Sequence, residues 1–140
     1  MPVYVSLRAG EERVVAEWLS EQWVVQTRGA IDLDAPFAGL VQVTVSGAPG
    51  GDVHFHRLYD GGRVVEAGPG PAKNPDVALT LPFDDARDVL EGRLDPSVAF
   101  MQGRLKTAGD QGCLLGLLAG WSSPAGAASL AQLRAATSDG

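Results

Sequence analysis

The stretch NPDVALTLPFDDARDVLEGRLDPSVAFMQGRLKTAGD, residues 74–110, changes its hydrophobic period twice. Val77, Leu79 and Leu81 alternate with other side chains, as in a half-buried strand. Apolar residues then recur at three- and four-residue intervals, which is typical of helices, and RLKT returns to alternation with Leu105 pointing inward. The stretch therefore predicts a strand, two helices and a second strand in succession.

The ends of the two helices have their own signals. Asp84 is the expected N-cap of the first helix, and Gly92 lies just past its end. Asp95 is the expected N-cap of the second helix, with Pro96 at the first helical position, where a missing amide costs nothing. Gly103 ends this second helix.

A third helix is predicted from about Gln111 to Gly120, with Asp110 as its cap. It is apolar nearly all round, so it needs cover on more than one side. Gly112, Gly116 and Gly120 are spaced four apart and form a bare stripe. This stripe predicts close approach by another backbone or by a ligand.

The last predicted helix starts with Ser123 as cap and Pro124 as first residue. Its face is mostly alanine, with Leu130 and Leu133 as the only large anchors. A small-residue face buries little apolar area and docks weakly. Two interpretations follow: a movable lid or a fraying terminus.

Upstream, residues 41–46 and 53–58 alternate apolar and polar side chains, with Arg57 in phase with Phe55. GAPGG joins these two segments as a turn, and YDGG leads into RVVEA as a hairpin. These segments predict three antiparallel strands in a meander, to which the opening stretch adds a fourth and a fifth strand. Helices follow the strands, so the fold class is α+β.

Apolar residues from Glu11 to about Thr27 recur at three- and four-residue intervals, with glutamates between them. We predict an amphipathic helix over this segment, with Gly29 as its stop. The following DLDAPF, residues 32–37, is predicted to be a loop.

Composition and charge restrict the function. The chain has 140 residues, of which 45% are hydrophobic and 20% charged, so we expect one domain spanning residues 1–140. A net charge of -6 argues against nucleic acid as a partner, because that affinity requires clustered positive charge. The same deficit allows at most transient contact of an apolar face with a membrane.

Compartment is inferred by elimination. Cys113 is the only cysteine, which excludes an intramolecular disulfide, and its apolar sequence neighbours predict an inert thiol. The N-terminus lacks the features of a secretory signal, and CLLGLLAGW is about half the ~20 residues that a membrane span requires. A cytoplasmic location is therefore expected.

The most metal-like feature is the pair His54 and His56, which point to the same face of a strand. Two ligands are too few, although Asp52 or Asp60 would supply a third. The alternative is two histidines on the solvated face of the sheet. The sequence contains no nucleophile elbow, P-loop or dinucleotide fingerprint.

Residues 74–118 resemble the type 2 sterol-carrier-protein domain family. A Pro-Asp-Val strand and a helix ending in glycine come first. Four short motifs of that family then stand in order: Asp95-Pro96, Ala99-Phe100-Met101, Gly103-Arg104-Leu105-Lys106 and Gly109-Asp110.

The resemblance implies a five-stranded, largely antiparallel sheet with helices packed on one face, enclosing an apolar tunnel. It implies a sterol, fatty-acyl or similar apolar ligand, no cofactor and no catalytic residues. Ordinary core packing is the alternative for each residue expected to line the tunnel. These residues are Phe83, Phe100, Met101, Leu105, Leu114, Leu118, Trp121 and Leu130.

Three hypotheses of function remain open at this stage. The first is a protein that binds or transfers a lipid-like molecule. The second is an accessory or dimerisation module with a filled tunnel, which acts through a homodimer or an enzyme partner. The third is a metal-dependent enzyme that uses His54 and His56.

Overall fold

The computed structural model describes residues 3–8 and 11–138, with side chains from residue 15 onward. These residues form eight strands and five helices. The strands are β1 (Val3–Arg8), β2 (Glu11–Glu17), β3 (Gly39–Ser46), β4 (Val53–Asp60), β5 (Arg63–Pro69), β6 (Val77–Pro82), β7 (Lys106–Gly109) and β8 (Thr137–Ser138). The helices are α1 (Glu21–Gln26), α2 (Phe83–Leu90), α3 (Pro96–Met101), α4 (Gln111–Trp121) and α5 (Pro124–Ala135).

The larger sheet has five strands in the order β5-β4-β3-β6-β7. The pairings β3–β4, β4–β5 and β6–β7 are antiparallel, and the central pairing β3–β6 is parallel. The predicted α+β class and the five-stranded, mainly antiparallel sheet are confirmed. A smaller sheet, in the order β1-β2-β8, lies outside the family pattern that the sequence predicted.

The two faces of the larger sheet differ as the alternation predicted. Phe55, Arg57 and Tyr59 of β4 are buried on the face that the helices cover. His54 is exposed and His56 half-buried on the opposite face. The core therefore lies between one face of the sheet and the helices.

The predicted helix from Glu11 to about Thr27 is wrong for most of its length. Residues 11–17 form β2, which pairs antiparallel with β1 and, at Ala16 and Glu17, parallel with β8. Leu19 then adopts a left-handed φ of 68°, which interrupts any helix, and Ser20 caps the short α1. Pairing with the preceding strand β1 and with the distant β8 has overridden a local helical period.

Two boundaries differ in detail. The chain passes directly from β6 into α2, so Pro82 is the N-cap and Asp84 lies inside the first turn instead of capping it. Strand β7 starts at Lys106, and buried Leu105 precedes it. Asp95 and Asp110 cap α3 and α4 as predicted, through hydrogen bonds to the backbone N–H groups of Ser97 and Cys113.

Helix α5 is anchored along its length, so neither a loose lid nor a fraying terminus describes it. The hydroxyl of buried Ser129 donates to the carbonyl of Asp32 at 2.9 Å and accepts from the Asp32 N–H at 3.0 Å. Arg134 donates to the carbonyl of Leu90 at 3.1 Å. Leu133 is buried in the core, and β8 follows the helix.

Asp95→Ala should destabilise the protein by about 1–2 kcal/mol in denaturant unfolding. The Asp95 carboxylate accepts from the Ser97 N–H at 2.7 Å and from the Ser122 hydroxyl at 3.2 Å, so it also joins α3 to the end of α4. Asp84→Ala is the matched control, because it removes only a dipole interaction worth below about 1 kcal/mol. An equal decrease in the free energy of unfolding in both variants would contradict the assignment of Asp95 as the N-cap of α3.

Candidate functional site

An apolar cavity of about 140 Å³ lies between the inner face of the sheet and the helices. Its floor comes from β3, β4 and β6, and its cover from all five helices. The residues that line it are Trp18, Leu19, Trp23, Val43, Val45, Phe55, Arg57, Leu79, Leu81, Ala86, Val89, Leu90, Pro96, Leu105, Leu117, Leu118, Trp121, Leu130 and Leu133.

The floor of the cavity is the centre of the sheet. Val43 pairs with Phe55 on one side and with Leu79 on the other, so the three side chains form one row. Val43 and Leu79 are only half-buried, whereas Val41 and Val45 on either side of Val43 are buried. Because close packing buries the middle of a sheet most completely, the drop in burial at this row marks unfilled space.

From residue 15 to residue 138, one charged side chain lines the cavity. Arg57 is 8% exposed, and its guanidinium carbon lies 5.0 Å from the centre of the Phe55 ring and 5.7 Å from that of Trp23. Its Nε donates to the hydroxyl of Thr27 at 3.3 Å. Among the described residues, no carboxylate forms an ion pair with it.

Four of the eight residues expected to line a tunnel do face this cavity: Leu105, Leu118, Trp121 and Leu130. The other four are elsewhere. Leu114 is buried in the core, Phe83 packs against Trp18 with ring centres 4.9 Å apart, and Phe100 packs half-buried against the core. Met101 is 74% exposed, so its side chain does not pack between the helices and the sheet with Phe100 and Leu105.

The sheet side of the cavity was not predicted from the sequence. Val43, Phe55 and Leu79 have the inward phase of ordinary core residues, which gives no sign of a cavity. Arg57 could have been identified from the sequence as a candidate site residue, because it is a charged residue at an inward position of a predicted strand.

The glycine stripe of α4 does not face the cavity. A Cβ on Gly116 would lie 3.3 Å from the Phe37 ring, and one on Gly120 would lie 2.9 Å from a methyl group of Leu33. Both neighbours belong to the segment between α1 and β3, so protein and not ligand occupies this approach. Gly126 of α5 lies directly against the backbone of Gly120 and Trp121.

The histidines face away from the cavity and have other partners. Nδ1 of His54 is 2.9 Å from the hydroxyl of Thr44, and Nδ1 of His56 is 3.0 Å from the carbonyl oxygen of Gly70. Within residues 3–8 and 11–138, no group of three or more His, Cys, Asp or Glu is placed to hold a metal ion.

Cys113 is half-buried at the start of α4. Burial, together with the negative charge of Asp110, raises the pKa of its thiol. The thiolate is the reactive form, so this environment suppresses nucleophilic chemistry.

In the described part of the chain, no single helix has the length and apolar character needed to cross a membrane. Helices α4 and α5 meet that requirement only as a pair, and they are bent by 71° at the break between them.

A five-stranded sheet covered by helices on one face, with an apolar cavity between the layers, defines an α+β domain of the sterol-carrier type. The model of the SCP-2 sterol transfer family matches residues 13–117. The chain belongs to this family, which confirms the resemblance seen in the sequence.

Curated relatives are much longer than this chain. Hydroxysteroid dehydrogenase-like protein 2 from Mus musculus is 31% identical over 98 residues, which are 70% of this chain and 18% of that protein. The Xenopus tropicalis protein of the same name is 34% identical over 79 residues, which are 56% of this chain and 18% of that protein. The chain thus matches less than a fifth of the length of these relatives.

Solved structures share the fold. The solution structure of a conserved hypothetical protein from Thermus thermophilus aligns with a TM-score of 0.70 and 19% identity, covering 89% of this chain and 94% of that one. A crystal structure of sterol carrier protein 2 aligns with a TM-score of 0.60 and 21% identity, covering 84% and 98%.

Gly126→Ala should destabilise the protein by about 1–3 kcal/mol in thermal or denaturant unfolding, because its Cβ would overlap the carbonyl oxygens of Gly120 and Trp121. Gly112→Ala is the control, since its nearest neighbour is an exposed Asp110 carboxylate oxygen at 3.2 Å. That variant should remain within about 1 kcal/mol of wild type. A neutral Gly126→Ala would mean that α4 and α5 are not in backbone contact.

Proposed function

We propose that this chain binds an apolar, lipid-like molecule between its sheet and its helices, and so carries the molecule or presents it to a partner. The observation that supports this most directly is the half-buried row at the centre of the sheet, Val43 and Leu79, beneath a cavity of about 140 Å³. Membership of the SCP-2 sterol transfer family supports the same function.

The size of the cavity defines how binding proceeds. Pockets for drug-sized ligands have volumes of about 300–1,000 Å³, so the space here holds part of a long chain. A longer ligand displaces side chains that line the cover, and half-buried Val89, Trp121 and Leu130 are the candidates. Each methylene that becomes buried contributes about 0.8 kcal/mol, which favours this opening.

The residues proposed to contact the ligand follow from this geometry. Leu105, Leu118, Trp121 and Leu130 form part of the cover, and Val43, Phe55 and Leu79 form the floor. The proposal leaves out Phe83, Phe100, Met101 and Leu114, which are not among the residues that line the cavity.

A second candidate function is an accessory module that acts through a protein partner. The small cavity favours it, and so do relatives named hydroxysteroid dehydrogenase-like protein 2, which match the chain over only 18% of their length. In this alternative the chain has no ligand of its own and binds an enzyme.

Native mass spectrometry of the purified protein, followed by titration with a fluorescent fatty alcohol and the matching fatty acid, separates the two candidates. The first function predicts saturable binding of at least one probe at a stoichiometry of one. Absence of co-purifying lipid together with absence of saturable binding would leave the accessory function as the better account.

Leu79→Trp should weaken binding of the probe by about 15-fold, because the indole fills space that would otherwise receive about two methylenes. Its thermal stability should change little, since the side chain extends into open space. Met101→Trp introduces the same side chain at an exposed position outside the cavity.

The control variant Met101→Trp should bind the probe like wild type. Equal weakening by both tryptophans would place the ligand outside the cavity. A large loss of stability in Leu79→Trp would show that the centre of the sheet is close-packed.

A further inference from the structure

Among the described residues in the wall of the cavity, Arg57 is the one with a charged side chain, and it is 8% exposed. It lies on β4 beside Phe55, in the row of the sheet next to the row formed by Phe55, Val43 and Leu79. Its charge therefore lies at one side of the unfilled space.

The described partners of the Arg57 guanidinium use only one of its five N–H donors. Nε donates to the Thr27 hydroxyl at 3.3 Å, and that hydroxyl donates in turn to the carbonyl of Val24 at 2.7 Å. This bond fixes the plane of the guanidinium. The two terminal amino groups have no hydrogen-bond acceptor among the described residues.

Arg57 cannot reduce its number of N–H donors without an acceptor by losing a proton, because a guanidinium stays charged in proteins. The rings of Phe55 and Trp23 stabilise the charge through cation–π contacts but accept no hydrogen bond in its plane. The terminal amino groups are not among the fully enclosed side-chain atoms that lack a partner, so they keep accessible surface and can meet an anion that enters the cavity.

We propose that Arg57 anchors the anionic head of the ligand, so that the chain selects apolar molecules that end in a carboxylate or a phosphate over neutral ones. The two terminal amino groups of the guanidinium match a pair of anionic oxygens in a bidentate arrangement. The tail of the ligand then lies over Val43 and Leu79. This inference rests on the proposed function and specifies its ligand.

Arg87 provides an internal comparison. Its guanidinium also lies over two aromatic rings, 5.3 Å from the centre of Trp18 and 5.2 Å from that of Phe83. Arg87 does not line the cavity. It therefore has the same stacking as Arg57 without access to the ligand.

The test uses three compounds with one tail: dodecanoic acid, dodecyl phosphate and dodecanol. Calorimetric titration at neutral pH compares their affinities for wild type, Arg57→Met and Arg87→Met. Wild type should bind at least one of the two anions about 10- to 100-fold more tightly than dodecanol, the range expected for hydrogen bonds to a charged group. Comparison of dodecanoic acid with dodecyl phosphate shows whether the site prefers a carboxylate or a phosphate group.

Arg57→Met should abolish the preference, because it weakens binding of the anion far more than binding of dodecanol, whereas Arg87→Met should retain the preference. Arg57→Met should also remain folded without ligand, because methionine keeps a flexible apolar side chain against Phe55 and Trp23. Arg57→Lys keeps the charge but loses the planar fork, so it should show a reduced preference.

Equal affinity of wild type for all three compounds would overturn the role of Arg57 and leave the proposed function intact. A preference for anions that survives Arg57→Met would also overturn it. If none of the three compounds binds, the proposed function fails as well. If Arg57→Met does not fold, Arg57→Lys provides the test, because an unchanged preference in that variant would overturn the role of Arg57.

Discussion

The parallel pairing of β3 with β6 is the constraint on which the rest of the fold depends. Parallel strands cannot be joined by a tight hairpin, so the chain forms β4 and β5 on one side of β3 before β6 pairs on the other. Asp76 secures this junction: its carboxylate accepts from the Leu40 N–H at 2.7 Å, and its carbonyl accepts from the Asp110 N–H at 2.9 Å. Helices α2 to α5 all follow β6, so they cover a sheet whose centre is already set.

How far the sequence predicts this fold depends on where each segment finds its partners. Between Asp95 and Pro124 the signals for helix starts and ends lie within a few residues of the helices themselves. They are the capping side chains, a proline at the first helical position, and Gly103 with a φ of 75°. The helices predicted in this region are confirmed. Residues 11–17 have no such local signals, and their strand exists because β1 and β8 pair with it. A partner more than a hundred residues away leaves no mark on a local hydrophobic period.

The candidate site was less predictable than the fold, for two physical reasons. Helix α3 has six residues, so its short pattern did not determine which of Phe100 and Met101 turns inward. Sequence pattern also separates inward from outward positions without showing whether an inward side chain meets another side chain or open space. Val43 and Val45 are identical in pattern, yet one is half-buried and the other buried.

The short β2–β8 pairing has a consequence for synthesis of the chain. Ala16 and Glu17 pair with Thr137 and Ser138, so this contact spans nearly all of the described residues. During translation, β1 and β2 pair as neighbours long before residues 137–138 leave the ribosome. One edge of β2 is then unpaired, and an unpaired strand edge can form hydrogen bonds with strands of other molecules. Pairing with β8 covers this edge of β2 at Ala16 and Glu17.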